Sequence, residues 1–146
     1  MLLWRISDFM ALDGMGGLLV SGRWHSRGRP VVYTAESSAL ALLEALVRME
    51  RDDLPDSYQL LRIEGPNGMA VEHFSPDSPP ESIADSMAWG DDWLSSGRTA
   101  LASVPAAVAP LSRNILINPA HPDAASIRVA QHSRWPWDKR LFKPAG

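Results

Sequence analysis

Between Gly22 and Glu44 the chain reads GRWHSRGRPVVYTAESSALALLE, and the change of period inside this stretch limits the available folds more than any other feature. Arg29-Pro30 opens a run, Pro30 to Ala35, whose β-branched and aromatic content and preceding Ser-Arg-Gly turn predict a short strand with Tyr33 on the face of Val31. Ser37 or Ser38 then offers an oxygen to the free N–H groups of a first helical turn, and Ala39 to Met49 is almost unbroken good helix former. Leu18 to Trp24 alternates enough to form a strand before the turn, with Arg23 and Trp24 on opposite faces. The stretch therefore reads strand, turn, strand, helix. Its three distinctive side chains, Arg23, Tyr33 and Glu44, meet only if tertiary folding brings them together.

Short segments continue on both sides. Leu2 to Ile6 reads as a strand entering the loop Asp13-Gly14-Met15-Gly16-Gly17, which needs glycine's freedom at positive φ. Tyr58 to Ile63 and Ala70 to Phe74 read as strands, with Gly65-Pro66-Asn67-Gly68 as a turn between them. Arg51 to Asp56 is a helix exit and loop, and Ser75 to Ser82 is short enough to be a surface loop rather than a domain boundary. Glu81 to Leu94 fits a short helix or an irregular apolar segment, and a helix would put Trp89 and Trp93 on one face, with core packing as their role. Leu101 to Val108 and Asn114 to Asn118 read as the last two strands, and Asn118 to Asp123 turns the chain into a tail ending in Trp135 to Phe142. Several short strands with one firm helix predict a mixed, mostly antiparallel α+β domain, and 146 residues suffice for a single domain with its own core.

Composition removes several classes of function. With no cysteine there is no disulfide framework, thiolate metal site or cysteine nucleophile, which fits a reducing compartment. The histidines, His25, His73, His121 and His132, show no close metal-ligand spacing, so no metal is expected. A net charge of −3 leaves no electrostatic footprint for nucleic acid. Arg5 and Asp8 interrupt the apolar N-terminal segment, unlike a signal peptide, and the longest uncharged run, between Arg98 and Arg113, is too short and proline-broken for a membrane span. Gly14-Met15-Gly16 is not a dinucleotide fingerprint, since Leu19 stands where the third glycine belongs. No GxSxG elbow, P-loop or HExxH motif is present.

Each candidate site residue also has a plain structural reading. Glu44 lies four residues before Arg48, so an exposed i,i+4 ion pair explains it on pattern alone. Tyr33 fits a half-buried strand position, and Arg23 a surface charge.

Taken in order, Gly22-Arg23-Trp24, Pro30-Val31-Val32-Tyr33, Ala41-Leu42-Leu43-Glu44, Asn114-Ile115-Leu116-Ile117-Asn118-Pro119 and Arg140-Leu141-Phe142 closely resemble the RES-domain family, toxins of bacterial toxin–antitoxin pairs. The resemblance runs from Trp4-Arg5-Ile6 to Arg140-Leu141-Phe142. It implies a single RES domain over residues 1–146, with the split β-sheet core flanked by helices of the ADP-ribosyltransferases, and NAD bound in the cleft as substrate without a metal. By motif position Arg23, Tyr33 and Glu44 correspond to the family's Arg-Tyr-Glu site, with Trp24 beside Arg23 and Tyr33 in NAD binding. Arginine's fork of donors suits a diphosphate or ribose, the tyrosine ring can stack on nicotinamide, and a carboxylate favours the positive sugar that develops as the nicotinamide–ribose bond breaks.

The implied activity is an NAD-consuming hydrolase, phosphorylase or ADP-ribosyltransferase that arrests growth in the cytoplasm. The implied partner is a helix-turn-helix, Xre-like antitoxin that covers the NAD cleft and supplies all contact with DNA, giving a hetero-oligomer. The chain departs from the family at one point, because Val104-Pro105 is followed by Ala106 where a serine is usual, with Ser103 nearby but displaced. That departure motivates the alternative expectation, a catalytically weak RES-fold module that mainly binds its antitoxin.

Overall fold

In the computed structural model, which describes residues 1–142 with Arg51 by its backbone alone, seven strands and three α-helices follow one another as β1 (Leu2–Ile6), α1 (Met15–Leu19), β2 (Val32–Ala35), α2 (Ser38–Arg48), β3 (Ser57–Glu64), β4 (Val71–His73), α3 (Ile83–Ser96), β5 (Leu101–Pro105), β6 (Arg113–Ile117) and β7 (Arg128–Pro136). The strands form one sheet in the order β4-β5-β6-β2-β1-β3-β7, antiparallel throughout except for β4 with β5. The expected mixed, mostly antiparallel α+β architecture is what the chain adopts. Its two halves meet at β1 and β2, which share the single residue pair Trp4 with Ala35. By contrast, β2 and β6 are paired from Val32 with Ile117 to Ala35 with Asn114. The sheet is thus split at its centre, which leaves room for a cleft.

Strand alternation divides the core between two faces. Leu3, Val32, Leu61, Ile63, Leu101 and Ile117 pack on one. On the other, Trp93 of α3 packs with Trp24, Val104 and Leu116, while Leu40 and Ala41 of α2 pack on Ala35 and Ala106. Helix α2 starts as its sequence predicts, the Ser37 hydroxyl accepting from the Leu40 N–H at 3.1 Å. Trp89 and Trp93 share the inner face of α3, as their spacing requires.

Two expectations are corrected. Leu18 to Trp24 is not a strand: the Asp13 carboxylate accepts from the Met15 N–H at 3.1 Å, Gly14 takes φ 73°, and the chain enters the short helix α1 before a tight turn bridged by Gly22 and His25. Close packing there depends on glycine, since a Cβ on Gly17 would lie 2.3 Å from the Arg29 carbonyl oxygen. Asn114 to Asn118 does not hold the last strand either. The segment expected to be tail contains β7, paired with β3 from Ser57 with Pro136 to Glu64 with Arg128. An edge strand held by its backbone ladder needs little apolar content, and Arg128-Val-Ala-Gln-His-Ser-Arg-Trp-Pro136 has little. Gly65-Pro66-Asn67-Gly68 does form a turn between β3 and β4, with Gly68 at φ 79°, and β4 then crosses to the far edge and lies parallel to β5.

Candidate active site

A cleft of about 540 Å3 opens beside the split, between α2 and the segment running from α1 through the Gly22–His25 turn. This lies within the roughly 300–1,000 Å3 of small-molecule sites. Arg23, Tyr33 and Glu44, separated along the chain, all line it. Tyr33 rises from β2, and Asn114 from the neighbouring β6 stands diagonally across on the same face, because Tyr33 pairs with Leu116 and Ala35 with Asn114. Glu44 comes from α2, one turn beyond the buried Leu40 and Ala41 that fasten the helix to the sheet.

Glu44 does not make the ion pair with Arg48 that its spacing invites. Half-buried, its carboxylate accepts from Asn114 Nδ2 at 2.9 Å. Glu44 is the only carboxylate among the described residues that line the cleft. Asn114 gave no local signal of this contact in the sequence; only strand register brings it under α2.

Arg5 and Arg48 also line the cleft, which with Arg23 makes three arginines there. Among the described residues none of the three has a carboxylate within ion-pair distance. Burial and then the like charge of Arg48 lower the pKa of Arg5, against the opposing pull of Asp13. Cations left unpaired in a concavity make it attractive to a ligand with more than one negative charge.

Tyr33 is fixed by its hydroxyl. His25 Nε2 lies 2.9 Å from the Val20 carbonyl oxygen, which only accepts, so Nε2 carries the proton. In the neutral ring Nδ1 is then the acceptor, and the Tyr33 hydroxyl at 2.7 Å donates to it while accepting from the Trp24 N–H at 3.1 Å. With the hydroxyl fully engaged, the ring face is what Tyr33 offers a ligand. Burial pushes this phenol up to about 12, outweighing the Trp24 N–H and the charge of Arg48, which pull it down. A raised pKa means the folded protein keeps a proton that the unfolded chain loses near 10. The stabilisation is complete below that pH and is lost as pH rises towards 12. Difference absorbance between the parent and Tyr33→Phe should therefore show the phenolate of Tyr33 rising well above pH 10, and a midpoint at 10 would contradict the burial described.

The other expected residues are placed differently. Trp24 borders the cleft, but its indole is 2% exposed and packs edge-on against Phe74 and Trp89, at ring centroid distances of 5.0 and 5.8 Å. It anchors the turn from behind and leaves little ring surface open to the cleft. Asp91 of α3 secures the same turn, accepting from the N–H and hydroxyl of Ser26 and pairing with Arg29 at 3.2 Å. Ser103 does not face the cleft; its hydroxyl accepts from Arg113 Nε at 2.7 Å. Ala106 is 4% exposed and packs on Ala35, Leu40 and Ala41 without lining the cleft. Ala106→Ser adds one oxygen at that contact, and we expect it to change stability by less than about 1 kcal/mol and to leave activity unchanged or modestly higher. A loss of folding, read by urea unfolding, would mean that the position has no room for a hydroxyl. No group of three or more metal-ligating side chains occurs among the described residues, and no helix there is long and apolar enough to cross a membrane.

Comparison with known proteins matches residues 2–138 to the RES domain. The chain is 42% identical over 146 residues to "Toxin Res" of Pseudomonas putida, covering 97% of this chain and 100% of that protein. It is 37% identical over 143 residues to the "Prs ADP-ribosylating toxin" of Sphingobium sp., covering 92% and 88%. Among solved structures, the MbcT-MbcA toxin-antitoxin complex of M. tuberculosis contains a chain similar in fold, with a TM-score of 0.74 at 16% identity over 92% of this chain and 84% of that one.

Proposed function

The chain belongs to the RES domain family, and we propose that it acts as one domain over residues 1–146, the toxin of a toxin–antitoxin pair, breaking the nicotinamide–ribose bond of NAD in the cleft. The observation that carries this reading is the convergence of Arg23, Tyr33 and Glu44 on one cavity that, among the described residues, holds a single carboxylate beside arginines that have no ion-pair partner. NAD matches such a wall part by part. Its two phosphates suit Arg23, supported by Arg5 and Arg48. Its flat nicotinamide suits the ring face of Tyr33. Its ribose develops positive charge opposite Glu44 as the bond breaks.

In the reaction the bond between ribose C1′ and the pyridinium nitrogen breaks, and its electron pair leaves with neutral nicotinamide. A nucleophile then bonds to C1′ and gives up a proton; with water the products are nicotinamide, ADP-ribose and a proton. Glu44 serves by charge, binding the oxocarbenium-like sugar more tightly than the ground state. The relative named as an ADP-ribosylating toxin supports passage of the ADP-ribosyl group to a protein, and water and phosphate are the other acceptors this chemistry admits.

The partner in this reading is a helix-turn-helix, Xre-like antitoxin that covers the cleft in the cytoplasm and carries the DNA contacts of a hetero-oligomer. A fold neighbour solved as a toxin-antitoxin complex supports such a partner. So do the exposed Val20 and Val47, which line the cleft, with the exposed Met15 and Leu19 in α1 next to its lining glycines, apolar surface that a covering partner would bury. The purified protein, free of antitoxin, is expected to release nicotinamide from NAD. Absence of release, where a related toxin is active under the same conditions, would favour the alternative of a weak interaction module.

A further inference from the structure

We propose that His25 is a positioning residue of this site, joining Tyr33 to the turn that bears Arg23 so that the two meet the substrate as one preformed wall. The proposal rests on the reading of the cleft as an NAD site. His25 is 3% exposed, and both ring nitrogens are engaged, Nε2 with the Val20 carbonyl and Nδ1 with the Tyr33 hydroxyl. These bonds tie together the exit of α1, the Gly22–His25 turn and β2, which no strand pairing connects. Packing leaves little slack, since a Cβ on Gly22 would lie 2.5 Å from the Tyr33 hydroxyl and 3.0 Å from the His25 ring.

Without an acceptor at Nδ1 the phenol proton of Tyr33 has no partner in its pocket, and a buried unpaired donor drives the ring to move. Arg23 stands two residues from His25 in the same turn and would lose its setting with it. Glu44 is held separately, by α2 and Asn114. His25 should therefore govern how well the substrate is bound, while the charge that acts in the transition state stays in place.

The test compares His25→Leu, which removes both ring nitrogens, with His25→Asn, whose Oδ1 occupies nearly the position of Nδ1. His25→Leu should raise KM for NAD by about tenfold with kcat within about threefold, and His25→Asn should keep KM within about threefold of the parent. In the Tyr33→Phe background His25→Leu should add little further, because its bond to Tyr33 is already gone and the Val20 contact, which His25→Asn also gives up, costs little by itself. The Tyr33 phenol midpoint should move in His25→Leu and stay in place in His25→Asn, since only the first leaves the hydroxyl without its acceptor. KM unchanged in His25→Leu, equal damage from Leu and Asn, or fully additive effects with Tyr33→Phe would each overturn the proposal. If His25→Leu does not fold, His25→Gln takes its place, since its Nε2 can still reach the Val20 carbonyl while nothing stands at Nδ1 for Tyr33, and additivity with Tyr33→Phe again overturns the proposal. Should the parent itself leave NAD intact, the reading of the cleft falls, and the His25–Tyr33 link is judged by the phenol titration, with an unmoved midpoint counting against it.

Discussion

Glu44→Gln is expected to cut NAD turnover on the order of a hundredfold or more while leaving NAD affinity within a few-fold of the parent. The substitution keeps the size of the side chain and an oxygen that still accepts from Asn114 Nδ2, so the 2.9 Å contact beneath α2 survives. What it removes is the only negative charge among the described residues lining the cleft. That charge gains most when the sugar is most positive, so its loss falls on the transition state and on kcat. Arg23→Lys should behave differently. It keeps the charge but not the paired donors, and so should raise KM for NAD. A pattern-only view, with Glu44 as half of an exposed pair with Arg48, predicts a change of a few tenths of a kcal/mol in stability and none in activity. Nicotinamide release and NAD binding measured on both variants separate these accounts. A Glu44→Gln protein that cleaves NAD at the parental rate, and still arrests growth when expressed without antitoxin, would remove the carboxylate from the mechanism.

Glu44 also marks where local reasoning stops. Elements whose signal is local were legible. β2 and α2 follow from Pro30 to Ala35 and the Ser37 cap, and the inward face of α3 from two tryptophans four apart. The features that resisted reading are set by contacts between distant segments. β7 is polar because its partner is a backbone ladder on β3, not a core. His25, with no metal-ligand spacing to mark it, matters through a tyrosine on another element. Asn114 lies in a run that reads as strand alone, and its link to Glu44 exists only once β6 pairs with β2. Trp24 stands beside Arg23 in the motif and borders the cleft, while its ring packs into the core behind that neighbour. The resemblance named Arg23, Tyr33 and Glu44 as a set; the cavity adds Arg48, which no motif marked, and Arg5, to which the resemblance gave no role.

Gly90→Ala should destabilise the protein by about 3 kcal/mol or more, although local reasoning predicts the reverse. Gly90 lies inside α3, where alanine is favoured over glycine by up to about 1 kcal/mol. Here, however, a Cβ would fall 1.7 Å from the Trp24 carbonyl oxygen and 2.7 Å from its carbon. Both are backbone atoms and cannot swing aside, so α3 has to withdraw. Withdrawal opens the packing of Trp24, Phe74, Trp89 and Trp93. It also carries off Asp91, whose bonds to Ser26 and Arg29 hold the turn from the other side. The turn bearing Arg23 and His25 then loses its support, so Gly90→Ala protein that still folds should bind NAD more weakly as well. Gly16→Ala is the matched control: it too is a helical glycine, but nothing lies within 4 Å of the added Cβ, and its stability should stay within about 1 kcal/mol of the parent. Urea unfolding of the two variants reads the difference. A Gly90→Ala protein that unfolds at or above the parental midpoint would mean that α3 does not need its contact with the Trp24 backbone, and that the turn is held in place by other means.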